Sequence, residues 1–121
     1  MRLNRIHTSK DSRNKLGILQ SRTGLLPNIL CRIGLMLSLA EPNQPEVDVD
    51  ARDGSELHRD TLMGEWDPLI VALLEEWCIA NGMDTDNDTL VKYFRAHLNR
   101  GVRLLYGRVK ELKDLANIIP F

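Results

Sequence analysis

Apolar and polar positions along this chain follow helical spacing in four stretches. After an extended segment at Leu3–Thr8, Ser12, Leu16, Leu19 and Thr23 recur at three- and four-residue intervals on one narrow face. Thr8 or Ser9 supplies an N-cap, because a short side-chain oxygen can accept an unpaired amide of the first turn. Gly24 suits the left-handed position that closes the helix. Pro27 suits the first position of a second helix reaching Ala40, ahead of Pro42 and Pro45. A third helix opens at Asp67-Pro68 and runs to Asn81 before Gly82, with Leu69, Leu73 and Trp77 on one stripe, Ile70 and Leu74 on the next, and Glu75-Glu76 on the wet side. Asp88 or Thr89 caps a fourth, where Leu90, Phe94, His97 and Leu98 repeat. Gly101 and Gly107 read as punctuation after it, and a last short helix covers Val109–Asn117. The chain is predicted to be mainly α.

The second helix departs from the amphipathic rule. Only Asn28, Arg32 and Ser38 are polar between Pro27 and Ala40, so the helix is apolar nearly all round. Full burial is hard in so small a domain. The expectation is an oligomer built around this helix, with Ile29, Ile33, Leu35, Met36 and Leu37 at the interface. A helix buried within a monomer is the alternative.

Charge changes the picture because it is segregated. Residues 1–40 hold seven Lys or Arg and one Asp; residues 41–88 hold fourteen acids and two Arg; residues 89–121 hold seven basic and two acidic residues, for a net charge of -1. Residues 41–64 read as an acidic excursion with room for a short strand at Glu56–Leu62. The organisation expected is one domain over 1–121: a basic arm and two-helix core (1–40), the acidic loop (41–64) and C-terminal helices (65–121). Segregated charge reports on partners more than on fold. Arg5, His7, Lys10, Arg13, Lys15, Arg22, Asn28 and Arg32 are the candidate phosphate contacts. Lys15 and Arg22 lie on one flank of the first helix, Lys10 and Arg13 on the other. Around Asn28 the contact would come from backbone amides at the helix start. Arg100, Arg103, Arg108, Lys110 and Lys113 either extend this surface or bind the acidic stretch of a neighbouring subunit.

Candidate chemistry is sparse. No His-Glu-x-x-His pair, metal-spaced cysteine set, P-loop or nucleophile elbow is present. Asp84–Asp88 begins like a calcium loop, but Thr89 and Arg95 stand where glycine and a bidentate glutamate are needed. Cys31 and Cys78 lie inside apolar segments and read as buried thiols. His97 reads as a core or interface histidine, and Trp66 and Trp77 as packing residues. No metal and no cofactor are expected. The apolar run Ile33–Ala40 is too short to cross a bilayer, and the N-terminus lacks a signal peptide's apolar stretch. The expectation is a cytoplasmic protein with no membrane association.

A strand-like arm, a basic helix, a glycine turn and an apolar helix resemble the ribbon-helix-helix arrangement, in which two chains pair their arms. Leu26 stands where that fold often places an N-cap Ser or Thr. Residues 5–32, with R-I-H-T-S-K-D and T-G-L-L-P-N-I-L-C-R-I-G, and the later F-R-A-H-L-N-R-G-V-R-L-L-Y-G, resemble the DndE family of bacterial DNA phosphorothioation proteins. The resemblance implies a ribbon-helix-helix-like core with additional C-terminal helices that assembles as a tetramer. It implies binding to double-stranded DNA, preferentially nicked, and a non-catalytic accessory role beside the other proteins of the phosphorothioation complex. The alternative is a ribbon-helix-helix transcriptional regulator or antitoxin reading a specific operator. An enzyme and a pure protein adaptor are the remaining readings.

Overall fold

The computed structural model describes residues 1–118. Residues 119–121, at the end of the expected C-terminal unit, lie outside it. Strand β1 (Arg5–His7) leads into α1 (Lys10–Thr23) and α2 (Pro27–Ala40); after the acidic loop come β2 (Glu56–His58), the short α3 (Arg59–Met63) and a 3-10 turn at Gly64–Trp66. Helices α4 (Asp67–Ala80) and α5 (Asn87–Arg108) follow, then a 3-10 segment at Leu112–Asn117.

Local chemistry explains the boundaries. Ser9 caps α1 by accepting the Ser12 amide, and Gly24 closes it at φ 75°. The chain then turns by 108° into α2, which starts at Pro27 without a side-chain cap from Leu26. Asp67 begins α4 rather than capping it, because Arg59 holds its carboxylate through Nε–Oδ2 (2.6 Å) and Nη2–Oδ1 (2.8 Å). That bidentate pair keeps the Asp67 carboxyl below the ordinary carboxylate range. Arg59 also donates to the Met1 and Leu3 carbonyls, fastening the N-terminus to α4. Helix α5 starts two or three residues earlier than expected, with Asp86 at its N-cap position.

Two expectations are corrected. The arm does not wait for a second chain: β1 pairs antiparallel with β2 of the same chain, Arg5 opposite His58, Ile6 opposite Leu57 and His7 opposite Glu56. The acidic stretch is therefore part of the fold. The Gly54 amide donates to the Thr8 carbonyl (2.7 Å) and the Thr8 amide to the Ser55 carbonyl (2.9 Å). The strand also ends at His58, because Leu62 and Met63 turn inward on α3 and are fully buried.

The second correction concerns Gly101, which interrupts nothing. Helix α5 runs unbroken for 22 residues through Gly101 and Gly107. A Cβ on Gly101 would sit 2.2 Å from the Gly34 carbonyl oxygen, and one on Gly34 would sit 2.8 Å from the Gly101 carbonyl carbon. The missing side chains let α2 and α5 touch backbone to backbone. Around that crossing Leu30, Cys31, Leu35, Phe94, Leu98, Val102 and Leu105 form the centre of the core.

A polar pin lies beside the crossing. Arg100 Nε donates to Ser38 Oγ (2.7 Å), and the Ser38 hydroxyl shares a hydrogen bond with His97 Nδ1 (2.8 Å). His97 Nε2 is buried with no hydrogen-bond partner among the described residues. Trp77 packs edge-on against the ring at 4.3 Å. Burial, reinforced by the Arg100 charge, lowers the His97 pKa to about 4.

Gly101→Ala should cost about 1–3 kcal/mol by denaturant unfolding, since backbone rather than a pliable side chain blocks the new methyl. Gly107→Ala, which meets nothing within 4 Å, should gain about 0.5–1 kcal/mol from helix propensity. Protons bind His97 in the unfolded chain near pH 6.5 but in the folded chain only near pH 4. Its contribution is therefore complete above pH 6.5 and lost as pH falls through that window. A thermal unfolding series should show a decline that His97→Gln flattens.

Candidate nucleic-acid interface

The sequence proposes eight phosphate contacts, and the fold sorts them into different environments. Arg5 and His7 lie on β1 facing Glu56 of β2: Arg5 Nη1 is 2.8 Å from its carboxylate and His7 Nε2 is 3.9 Å away. Asn28 and Arg32, both half-buried, are turned toward α3. Arg32 donates to the Leu62 carbonyl through Nε (2.5 Å) and to the Thr61 carbonyl through Nη2 (3.1 Å), and Asn28 Nδ2 donates to the same Thr61 oxygen (3.2 Å). These bonds satisfy the carbonyls at the end of α3, a structural task.

Helix α1 keeps its cations outward. Lys10 and Arg13 are exposed and have no ion-pair partner among the described residues. On the other flank, Lys15 Nζ stands 5.2 Å and the Arg22 guanidinium 4.8 Å from the centre of the Tyr106 ring, contributed by α5. Lys110 Nζ, from the segment after α5, approaches the same ring at 5.2 Å. A π face attracts cations, so one half-buried tyrosine gathers three positive side chains from separate parts of the chain. Two of them are also tied locally, Lys15 to Asp11 (2.5 Å) and Arg22 to the Val109 carbonyl (3.4 Å).

What places α1 on α5 is Asn99. Its Oδ1 accepts from the Ser12 hydroxyl (2.8 Å) and the Ser9 amide (3.1 Å), at the start of α1. The helical positions of Ser12 and Asn99 gave no hint of this bond, which depends on two elements 87 residues apart. Tyr106 was missed for the same reason: its role depends on cations that the sequence assigns to other segments.

The C-terminal basic residues divide too. Arg108 pairs with Glu41 (2.8 Å), and Arg100 donates to the Ser38 and Asn43 carbonyls (2.7 and 2.6 Å) at and beyond the end of α2. These two therefore bind their own chain. Arg103 is exposed, and Lys113 lies 3.8 Å from Glu111.

A model of the family described as DNA sulphur modification protein DndE matches residues 5–113. The chain belongs to the DndE family. Its fold is similar to the crystal structure of DndE from Escherichia coli B7A, a protein described as involved in DNA phosphorothioation modification. That likeness has 27% sequence identity and a TM-score of 0.71, and covers 84% of this chain and 97% of that one. The structure of a DndE G21/24K mutant is similar in fold, at 21% identity and a TM-score of 0.70, covering 88% and 99% of the two chains. No curated protein sequence matches the chain. This DndE-family member is thus a protein of the DNA phosphorothioation pathway.

Among the described residues no three His, Cys, Asp or Glu side chains converge as a metal site, and no single helix is long and apolar enough to cross a membrane. Both cysteines are buried thiols. Burial pushes the Cys31 pKa up to about 12, and burial followed by Glu75 raises that of Cys78. Nucleophilic sulfur requires thiolate. In the native protein both thiols should therefore resist alkylation at neutral pH. They should label together only as the chain unfolds, which mass spectrometry across a denaturant series would record.

Proposed function

We propose that this DndE-family chain is a non-catalytic, DNA-binding component of a phosphorothioation complex in the cytoplasm, and that it grips double-stranded, preferably nicked, DNA through the cations of α1. The observation that carries the reading is the cluster of Lys15, Arg22 and Lys110 around Tyr106, continued across α1 by Lys10 and Arg13. Such side chains meet phosphate oxygens and read no sequence, which suits a system that modifies the backbone. Arg5 and His7, on β1 beside Glu56, and Asn28 and Arg32, on the α3 carbonyls, are not members of the cluster around Tyr106. The pairing of β1 with β2 and the position of Arg5 and His7 beside Glu56 favour this reading over a sequence-reading ribbon-helix-helix regulator.

Assembly into a homo-oligomer, a tetramer by the family resemblance, belongs to the same proposal and would repeat the cationic surface around the particle. Leu35 cannot serve it, being 1% exposed in the chain's own core, and Ile29 and Leu37 are half-buried. Met36 is exposed, and with the equally half-buried Ile33 it lines a 260 Å³ recess together with Arg32, Trp66, Leu69 and Ile70. Leu73, one turn beyond Leu69 on α4, is exposed as well. An apolar surface of this kind supports self-association.

Replacing Arg22 and Lys110 together by Gln should weaken binding to a nicked duplex equally for unrelated sequences. It should also reduce the slope of log affinity against log salt by about 2. A double variant that binds as the parent does, with the same salt slope, would remove this surface from the account. Strong preference for one operator over competitor DNA would favour a regulator instead.

A further inference from the structure

The opposite end of α5 holds a second cationic site, which the sequence did not single out. Arg2, Arg52, Lys92 and Arg95 line a recess of about 420 Å³ together with Leu3, Val49, Asn87, Asp88 and Val91. Four cations face one carboxylate there. None of the four is in an ion pair, and none of their side chains donates a hydrogen bond, among the described residues. Several other arginines are engaged: Arg5, Arg59 and Arg108 each hold a carboxylate, and Arg32 and Arg100 hold backbone carbonyls, while Arg13 and Arg103 stand singly at the surface.

The clustering is built into the fold. The Arg2 amide donates to Asn87 Oδ1 (2.5 Å) and Asn87 Nδ2 returns a bond to the Arg2 carbonyl (3.3 Å), which fixes Arg2 to the first turn of α5. Arg52 is brought in by a loop stitched to α5 and to the start of α1, where the Asn99 amide group donates to the Ala51 carbonyl (3.4 Å) and Asp53 Oδ1 accepts from the Lys10 amide (2.9 Å). Arg95 follows Lys92 by one turn on α5. Partial burial and the Arg52 charge both act against the Arg95 guanidinium, lowering its pKa below the ordinary arginine value. Four like charges gathered around the single carboxylate of Asp88 repel one another on balance, and an anion seated between them relieves that repulsion.

We infer that this recess binds a phosphate monoester dianion, held by the guanidinium groups of Arg2, Arg52 and Arg95 with Lys92 as an added point charge. Guanidinium forks match the paired oxygens of a phosphoryl group, and two or three of them suit a doubly charged terminal phosphate better than a singly charged diester. Asp88 on the wall disfavours a longer run of anionic backbone. Lys92 and Tyr106 lie about 21 Å apart along α5 at about 1.5 Å per residue, so this site is separate from the Tyr106 cluster and does not rest on the DNA-binding reading.

The test uses the full chain, inorganic phosphate as probe, and chloride at matched ionic strength as reference. Phosphate should raise the unfolding temperature saturably, as a ligand of the native state does. Arg52→Gln should lower phosphate affinity about ten-fold or more and, without phosphate, unfold at a higher temperature than the parent because the repulsion is relieved. A structural or merely solvated arginine would not produce that pair of effects. Competition then identifies the source of the group. Displacement by a nucleoside monophosphate points to a small ligand; displacement by a 5′-phosphorylated duplex, but not its 5′-hydroxyl counterpart, points to a DNA end. No saturable shift over chloride, or an Arg52→Gln variant that binds phosphate as tightly as the parent, would overturn the inference.

Discussion

The backbone contact between Gly34 of α2 and Gly101 of α5 is the constraint on which the rest of this structure depends. Packed interiors tolerate little slack, and side chains between two helices ordinarily hold their axes 8–10 Å apart. With no Cβ on either residue the helices close to direct contact. That approach lets Cys31, Leu35, Leu98, Val102 and Leu105 seal around the crossing. It also sets Ser38 of α2 within reach of His97 and Arg100 of α5. Helix α1 is then laid on α5 by the Ser12–Asn99 hydrogen bond, which brings Lys15 and Arg22 to Tyr106. The cationic face is in this sense a product of the core.

The helices were legible because their signals are local. Ser9, Gly24, Pro27 and Gly82 act within a turn of where they stand, and the elements begin or end beside them. Gly101 misled for the complementary reason. As a sequence signal an isolated glycine weakens a helix, and only the partner glycine 67 positions earlier shows why this one is needed. The apolar second helix was read as demanding other subunits. Most of that demand is met within the chain, because Leu30, Cys31, Gly34, Leu35 and Ser38 are buried in its own core, Gly34 and Ser38 against α5, while Met36 is exposed. On α4 the stripe assignment was similarly half right: Ile70 and Leu74 are buried and Trp77 packs against His97, while Leu69 and Leu73 face out.

The site was legible only in part because charge is visible in sequence and its pairing is not. Of eight candidate contacts, the fold spends Arg5 and His7 on Glu56, and Asn28 and Arg32 on the end of α3. A side chain that completes a helix end or balances a carboxylate offers less to a phosphate. The acidic stretch, which looked like an excursion, is the element that does much of this sorting. It supplies Glu56 to the arm, Glu41 to Arg108, and the loop that carries Arg52. Segregated charge along the sequence thus becomes, in three dimensions, a pattern of neutralised and uncompensated cations.

Native-state hydrogen exchange over α2 and α5 tests the central role of the glycine crossing most directly. If the crossing organises the fold, the amides flanking Gly34 and Gly101 exchange slowest in the chain and by one common opening, with the free energy of global unfolding. Exchange of α2 at substantially lower free energy than the centre of α5, as an independent unit, would contradict the account.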